Sequence, residues 1–133
     1  MMDGKKRVLV VDDDDVARQF VREIMATQGW DAVEGTNGME ALDLAEKEKP
    51  DLIILDVMMP VMDGFEAFRR LRDGEFTKHI PVIMLTAISS SDPDAPRDPA
   101  TMEKRLGVRR PEGFVDKPVE PKFLLDTVFG VIG

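Results

Sequence analysis

Three unbroken apolar runs and one weaker run divide the chain, and each ends in polar residues. The runs cover residues 8–11, 52–55 and 82–85, and the weaker one covers residues 113–116. Runs of this length bounded by polar turns are typical of strands that are buried on both faces. Since the stretches between them show helical periodicity, the pattern predicts a parallel sheet covered by helices on both sides.

Helical periodicity is clearest after the first run. Apolar residues recur there at intervals of three and four positions, which predicts a helix with one buried face. The residues expected on that face are Ala17, Phe20, Val21, Ile24 and Met25. Asp14 or Asp15 is expected to cap this helix at its N-terminus, and Gly29 follows its end.

Three further helices and a short strand complete the regular pattern. The strand is expected at Ala32–Glu34, and the helices at Gly38–Lys47, at Phe65–Arg72 and from Pro121 onward. The inward-facing residues of these helices are expected to be Met39, Leu42, Phe68, Leu71, Phe123, Leu124, Val128 and Ile132.

The stretch from Ala87 to Glu112 departs from this regularity. Prolines recur between residues 93 and 99, and they exclude one continuous helix through that part of the chain. A short helix is expected from Ala100 to Leu106, with Gly107 as its stop signal.

Charged and hydroxyl side chains follow the strands at the point where each one ends. Asp12 and Asp13 follow the first run, Asp56 the second and Thr86 the third, and Lys117 follows the weaker run. The carboxyl ends of parallel strands meet at one edge of the sheet, where open α/β proteins bind their ligands. Clustered carboxylates repel one another and are tolerated when a hard divalent cation neutralises them. The set therefore indicates a magnesium and phosphoryl site.

Composition and charge limit the remaining possibilities. The 133 residues are 43% hydrophobic and 33% charged, so we expect residues 1–133 to form a single domain. The absence of cysteine excludes a disulfide or a thiolate metal site. A net charge of −8 opposes nucleic-acid binding, and the apolar run near the N-terminus is too short for a signal sequence or a membrane span. A cytoplasmic protein without a membrane or nucleic-acid partner is the expectation.

The residues around Asp56 carry a resemblance to a known family. The sequence LDVMMPVMDG at residues 55–64, with the ordered Asp-Asp, Asp, Thr and Lys-Pro elements, resembles the receiver domain of two-component response regulators. Stand-alone chemotaxis regulators are especially similar, and the resemblance runs from Val8 to about Ile132. It implies an α/β, flavodoxin-like, doubly wound fold with five parallel strands in the order 2-1-3-4-5. The fourth helix region is expected to be irregular, because the stretch before the last strand exceeds the family's usual length by roughly two helical turns.

The resemblance implies a chemical role for the acidic residues. Asp56 would be the phosphorylation site, because a carboxylate can attack a phosphoryl group to give an aspartyl-phosphate. Mg²⁺, for which Mn²⁺ could substitute, would be held by Asp13 directly, by Asp12 mostly through water, by Asp56 and by the backbone carbonyl of Met58.

The resemblance also implies roles for residues of the last two strands. Lys117 and the Thr86 hydroxyl would bind phosphoryl oxygens, and Ala87 is small enough to admit the phosphodonor. Phe114 stands where the family has a switch aromatic, although an ordinary core ring explains it equally well. A cis peptide bond is implied between Lys117 and Pro118.

The function implied by the resemblance is a phosphorylation-activated signalling switch rather than an enzyme. It would accept a phosphoryl group from the phosphohistidine of a sensor histidine kinase or a phosphotransfer protein. It would then act on a downstream protein that the sequence does not identify, and homodimer formation on phosphorylation is compatible with this. Self-dephosphorylation is expected to be slow at most, because Met58 and Ile88 would flank the path of the attacking water and cannot orient it strongly.

Two alternatives remain open at this point. Residues 12–16 fit the Asp-x-Asp-x-Thr/Val motif of haloacid-dehalogenase-type, Mg²⁺-dependent phosphatases, in which Asp12 would be the nucleophile. No acidic pair follows Lys117, however, and this alternative leaves Asp56 and its loop unexplained. The chain could also be a receiver fragment of a larger regulator.

Overall fold

Five strands and five helices alternate along residues 5–87 and 98–133, which are the residues that the computed structural model describes. The strands are β1 (Arg7–Val11), β2 (Asp31–Gly35), β3 (Leu52–Asp56), β4 (Val82–Ala87) and β5 (Gly113–Lys117). The helices are α1 (Asp15–Ala26), α2 (Gly38–Glu48), α3 (Gly64–Asp73), α4 (Pro99–Leu106) and α5 (Pro121–Ile132). Among these described helices, none is long and apolar enough to cross a membrane.

The strands pair in parallel in the order β2-β1-β3-β4-β5, which confirms the predicted α/β, flavodoxin-like, doubly wound fold. Neighbouring strands end nearly level with one another. Asp56 lies opposite Leu85 of β4, and Thr86 lies opposite Asp116 of β5. The polar residues that follow the strands are therefore brought to a common edge of the sheet.

Alternate strand residues point to opposite faces of the sheet, and each face carries its own hydrophobic cluster of described residues. Leu9 and Ile53 pack in the cluster beneath α2, α3 and α4, whereas Val8 and Ile54 pack in the cluster beneath α1 and α5. Because both faces of these strands are buried, their sequences are unbroken apolar runs rather than alternating ones.

Several side chains that helical periodicity placed in the core are exposed instead. Phe20 is 43% exposed on α1, Met39 is 44% exposed on α2, and Phe123 is 54% exposed on α5. The prediction of burial was wrong for these residues, because the buried stripe of each helix is narrower than the apolar periodicity implies. On α1 and α5 the next residue in sequence, which was also predicted to face inward, is the buried one. Those inward residues are Val21 and Leu124.

Helix α4 is short, as the prolines predict. It runs from Pro99 to Leu106, and Gly107 follows in the left-handed conformation with φ of 69°. Glycine suits that position because it has no Cβ to clash with the preceding turn. The predicted helix and its glycine stop are confirmed. Residues 88–97, which include Ile88 and the first two prolines of this region, lie outside the described residues.

A buried arginine fastens the turn that precedes β5. The side chain of Arg72, at the end of α3, is only 1% exposed. Its guanidinium donates hydrogen bonds of 2.7–3.1 Å to the carbonyl oxygens of Ile80, Arg109 and Arg110 and to the carboxylate of Glu112. The irregular stretch before β5 is thereby tied to α3 and to the segment before β4.

Candidate functional site

Asp56 lies at the carboxyl end of β3 and is 4% exposed. β3 runs between β1 and β4, so hydrogen bonds on both sides hold its backbone. The backbone N–H of Val57 continues this pairing by donating to the carbonyl of Leu85 at 3.0 Å. A carboxylate fixed in this way faces the crevice at the strand ends, where this class of sheet builds its sites.

The ammonium group of Lys117 connects the end of β5 to β1 and β3. Its Nζ lies 2.8 Å from Asp12 Oδ2 and 3.0 Å from Asp56 Oδ1, so the side chain reaches past β4. Burial lowers the pKa of Lys117, but the hydrogen bonds and charges of Asp12 and Asp56 outweigh burial and raise it above the ordinary value. The lysine is therefore charged and compensates part of the negative charge at this edge.

Burial raises the pKa of Asp56 to about 6, and the negative charge of Asp12 adds to the increase. Lys117 opposes it through its charge and its hydrogen bond. At neutral pH Asp56 is ionised, so its oxygens can serve as a nucleophile or as metal ligands. The same environment also favours any further cation that reduces the repulsion between the carboxylates.

The carboxylates of Asp12, Asp13 and Asp56 converge closely enough to hold a metal ion. Among the described residues, one oxygen from each lies within 4.8 Å of the others. Asp12 and Asp56 are buried, whereas Asp13 is exposed and leaves one side of the cluster open to water. Mg²⁺ prefers a site with a few carboxylate oxygens and enough space for several water ligands. These residues therefore fit the predicted magnesium site.

The loop after β3 returns against the backbone of Asp56 because position 64 is glycine. A Cβ at Gly64 would lie 2.1 Å from the Asp56 carbonyl oxygen, and the Gly64 N–H donates to the carbonyl of Val57 at 2.8 Å. Within this loop Met58 is 62% exposed and Val61 is 83% exposed. Val61 has φ of 70°, a left-handed conformation that is unfavourable for a β-branched residue. The loop thus presents apolar side chains next to the acidic cluster.

The remaining predicted site residues lie on β4 and β5. Thr86 is buried and Ala87 is partly exposed at the end of β4, where Ala87 pairs with Lys117. Phe114 is partly buried and packs against the cluster beneath α4. The predicted cis peptide bond between Lys117 and Pro118 is confirmed. The phosphoryl-binding role of Thr86 and Ala87 and the switch role of Phe114 stay predictions.

Sequence reasoning missed Arg18, which lies on α1 beside the acidic turn. Its Nη1 donates to the backbone carbonyl of Asp12 at 2.8 Å. The signal available in the sequence is the spacing of Asp15 and Arg18, three positions apart, which predicts an ordinary ion pair on a helix surface. The contact with Asp12 depends on how α1 packs and has no local signature.

Comparisons with known proteins agree with the fold. A family model described as the response regulator receiver domain matches residues 8–129. The polar-differentiation response regulator DivK of Brucella anthropi is 30% identical over 128 residues, which cover 96% of this chain and 97% of that protein. The chemotaxis response regulator CheY4 of Vibrio cholerae is 34% identical, with a TM-score of 0.78 and coverage of 96% of this chain and 99% of that one.

A third similar protein is the receiver domain of the sensor histidine kinase PA1611 from Pseudomonas aeruginosa PAO1. Its crystal structure has a magnesium ion coordinated in the active site cleft. The TM-score is 0.80 over 98% of this chain and 99% of that one, and the identity is 23%, so this likeness concerns the fold.

The family assignment draws on both the sheet and the strand-end residues. The match over residues 8–129 spans the five strands except Arg7, the first residue of β1, and it includes the cluster of Asp12, Asp13 and Asp56. Receiver domains are phosphoacceptors in signalling rather than conventional enzymes, and they are phosphorylated by histidine kinases. This chain, similar to DivK and to the CheY-like regulators, belongs to the response regulator receiver domain family.

Proposed function

We propose that this chain is a phosphorylation-activated switch in which Asp56 accepts a phosphoryl group from the phosphohistidine of a sensor histidine kinase or a phosphotransfer protein. The observation that supports this most strongly is the setting of the Asp56 carboxylate. It is fixed at a strand end, 3.0 Å from the Lys117 ammonium and close to the carboxylates of Asp12 and Asp13. For phosphoryl transfer, the protein needs only to position the nucleophile and to supply positive charge.

The transfer forms a bond between phosphorus and one Asp56 carboxylate oxygen and breaks the phosphorus–nitrogen bond of the donor. The electron pair of the broken bond stays on the imidazole nitrogen, which takes up a proton. Lys117 binds one phosphoryl oxygen and the Thr86 hydroxyl donates to another. Asp12, Asp13, Asp56 and the Met58 carbonyl would hold Mg²⁺, or Mn²⁺ as a substitute, and the ion would supply the remaining positive charge.

An open apolar cleft beside Lys117 offers a surface for the phosphodonor. Its volume is about 360 Å³, and it is lined by Asp14, Val16, Ala17, Phe20, Lys117, Pro118 and Val119. Val16 and Phe20 are exposed there, so a partner helix that covers them buries apolar area. Such a partner reaches Asp56 from the side on which Lys117 lies.

The hydrogen bonds of Asp12 argue against the phosphatase alternative. Asp12 is almost fully buried, and its two carboxylate oxygens accept hydrogen bonds from the Asp14 N–H and from Lys117. A nucleophile needs a free lone pair that faces the substrate. Asp56 is engaged by Lys117 through Oδ1, and a nucleophilic Asp12 leaves Asp56 and its loop unexplained, so we assign Asp12 to the metal site.

Intact mass after incubation with acetyl phosphate and Mg²⁺ tests the proposal. We expect one added phosphoryl group on the wild type and none on Asp56→Asn, which keeps the size of the side chain but removes the anionic nucleophile. Asp126→Asn is the matched control, because Asp126 also pairs with a lysine but lies on the exposed face of α5. It should be labelled like the wild type.

Full labelling of Asp56→Asn would contradict the assignment of the phosphorylation site. Sustained hydrolysis of a generic phosphate ester that depends on Asp12 would favour the phosphatase instead. Chelation of divalent metal before labelling should abolish the adduct on the wild type.

A further inference from the structure

Arg18 holds together the start of α1, the end of β2 and the acidic turn after β1. Its Nη1 donates to the Asp12 carbonyl at 2.8 Å, its Nε to Glu34 at 2.9 Å and its Nη2 to Asp15 at 2.6 Å. The Arg18 side chain is 12% exposed, and its contact with the Asp12 carbonyl is partly buried, whereas the Asp15 side chain is 86% exposed. A planar guanidinium with several donors can satisfy three acceptors at once, which fixes their relative positions.

The acceptor in the turn is the peptide group that joins Asp12 to Asp13. The other polar groups of Asp12 are also engaged, since its N–H donates to Gly35 at 3.1 Å and its Oδ1 accepts from the Asp14 N–H at 3.0 Å. Because the peptide group is planar, the direction of the Asp12 carbonyl sets the direction in which the chain enters Asp13. Arg18 therefore helps to fix the backbone from which the exposed Asp13 side chain projects.

We propose that Arg18 is a positioning residue of the divalent-cation site, which acts by holding the peptide group between Asp12 and Asp13. This inference rests on the proposed function, because it concerns the same metal site. The positive charge of Arg18, which pairs with Asp15 and Glu34, can only oppose the binding of a second cation, so any favourable effect of Arg18 comes from position.

Positioning and charge predict opposite effects of the same substitution. Arg18→Met leaves Asp15 and Glu34 without this cation, so on electrostatic grounds alone a divalent cation would bind more tightly. If Arg18 acts by position, the Asp13 carboxylate is released and the ion binds more weakly. Loss of a residue that orients metal ligands typically lowers metal affinity by about 10–100-fold. We therefore expect Arg18→Met to weaken Mg²⁺ binding at least about tenfold.

Arg22 provides a matched control on the same helix. Its Nη1 donates to the second carboxylate oxygen of Glu34 at 3.0 Å, so Arg22→Met also removes a cation and an ion pair from Glu34. The contacts of Arg22 do not include the Asp12 carbonyl. Arg22→Met should bind Mg²⁺ like the wild type.

The experiment is a Mg²⁺ titration of the metal-free proteins, followed by the backbone amide NMR signals of Asp13 and Asp56. Thermal unfolding of the same samples without metal reports any change in the stability of the fold. We expect Arg18→Met to need about tenfold more Mg²⁺, for binding and for labelling by acetyl phosphate, than Arg22→Met does. Arg18→Lys keeps the charge but lacks the forked donors, so it should also bind Mg²⁺ more weakly than the wild type.

Equal or tighter Mg²⁺ binding by Arg18→Met overturns the proposal. If Arg18→Met does not fold, Arg18→Lys decides the matter, and affinity equal to that of the wild type then overturns it. If the wild type binds Mg²⁺ and is labelled, but Arg18→Met binds Mg²⁺ as well as Arg22→Met does, then only this inference is wrong. A wild type that neither binds Mg²⁺ nor is labelled removes the proposed function and this inference with it.

Discussion

Asp56 is ionised at neutral pH in surroundings that disfavour its charge. Its pKa of about 6 lies above the ordinary value of 3.8, chiefly because the group is buried. The folded protein therefore binds this proton more tightly than the unfolded chain does. By linkage, the ionised carboxylate destabilises the fold above about pH 6, and the effect disappears below the ordinary pKa. The charge that phosphorylation needs thus opposes folding in the absence of a metal ion.

Asp56→Asn should for this reason stabilise the metal-free protein near pH 7. We expect the free energy of unfolding to rise by about 1–3 kcal/mol, since each unit of pKa difference corresponds to about 1.4 kcal/mol. The gain should shrink as the pH falls through 6 and become small near pH 4, where wild-type Asp56 is protonated too. Urea denaturation of both proteins at the two pH values measures it. A gain that does not change with pH would exclude the charge as its cause.

The side chain at position 58 is expected to determine the lifetime of the phosphorylated form. The thioether is exposed two positions after Asp56 and cannot orient a water molecule for in-line attack. Met58→Asn supplies an amide there, so loss of the phosphoryl group should accelerate about fivefold, the factor given by one hydrogen bond of about 1 kcal/mol. A time course of intact mass with Mg²⁺ measures the decay. Val61→Asn places the same amide elsewhere in the loop and should leave the rate unchanged.

Among the elements, the junction of α3, β4 and β5 adds side-chain hydrogen bonds to the regular backbone pairing of β4 with β5. Glu112 accepts hydrogen bonds from Arg72 and from the backbone N–H of Val82, each at 2.7 Å. The guanidinium of Arg72 also lies over the ring of Phe68, 4.6 Å from its centre. The start of β5, and with it the register that carries Lys117 to the site, is therefore anchored to α3.

Arg72→Met should destabilise the fold strongly. The carbonyl oxygens of Ile80, Arg109 and Arg110 would lose their donor, and Glu112 would keep only its exposed partner. We expect a loss of about 3–5 kcal/mol, the usual cost of breaking a buried ion pair. Arg109→Met removes an exposed partner of the same Glu112 and should cost no more than about 1 kcal/mol. Urea denaturation of the two variants compares these losses. Equal losses would mean that the burial of Arg72 is not what stabilises this junction.

The whole molecule has a net charge of −8 and gathers several of its carboxylates at one edge of the sheet. A cation that binds the folded site stabilises it by mass action, by about 1.4 kcal/mol at a free concentration ten times the dissociation constant. MgCl₂ should therefore raise the thermal midpoint more than NaCl does at equal ionic strength. Asp13→Asn should remove that difference while the pair of Asp12 and Lys117 is retained. Equal effects of the two salts on the wild type would argue against a specific site.

The sheet and its site edge could be predicted because their signals are local. Each central strand is buried on both faces, so runs such as residues 52–55 contain no polar residue. Parallel strands bring their carboxyl ends together whatever the details of the helices, and this places Asp12, Asp56 and Lys117 in reach of one another. The order of these residues along the chain then matches one family.

Long-range contacts and the width of the buried face of each helix could not be predicted in the same way. Phe20 and Phe123 obey the helical period, but a period does not define how wide the buried stripe is. Arg72 follows Phe68 by four positions and so shares its buried face, which is the available hint that this arginine is not on the surface. One of its carbonyl acceptors comes from Arg110, 38 positions later, and no local pattern encodes that contact.

The close approach of Gly64 to the Asp56 carbonyl has a consequence for genetics. Any side chain at position 64 must displace the backbone that carries Asp56, the proposed phosphorylation site. In a random mutant library screened for loss of signalling, null alleles should therefore arise at codon 64 as well as at codon 56. Immunoblots should separate the two classes, because codon 56 alleles leave the protein abundant whereas codon 64 alleles deplete it. Substitutions of Gly64, which has no reactive group, would then cause the same loss of signalling as substitutions of Asp56.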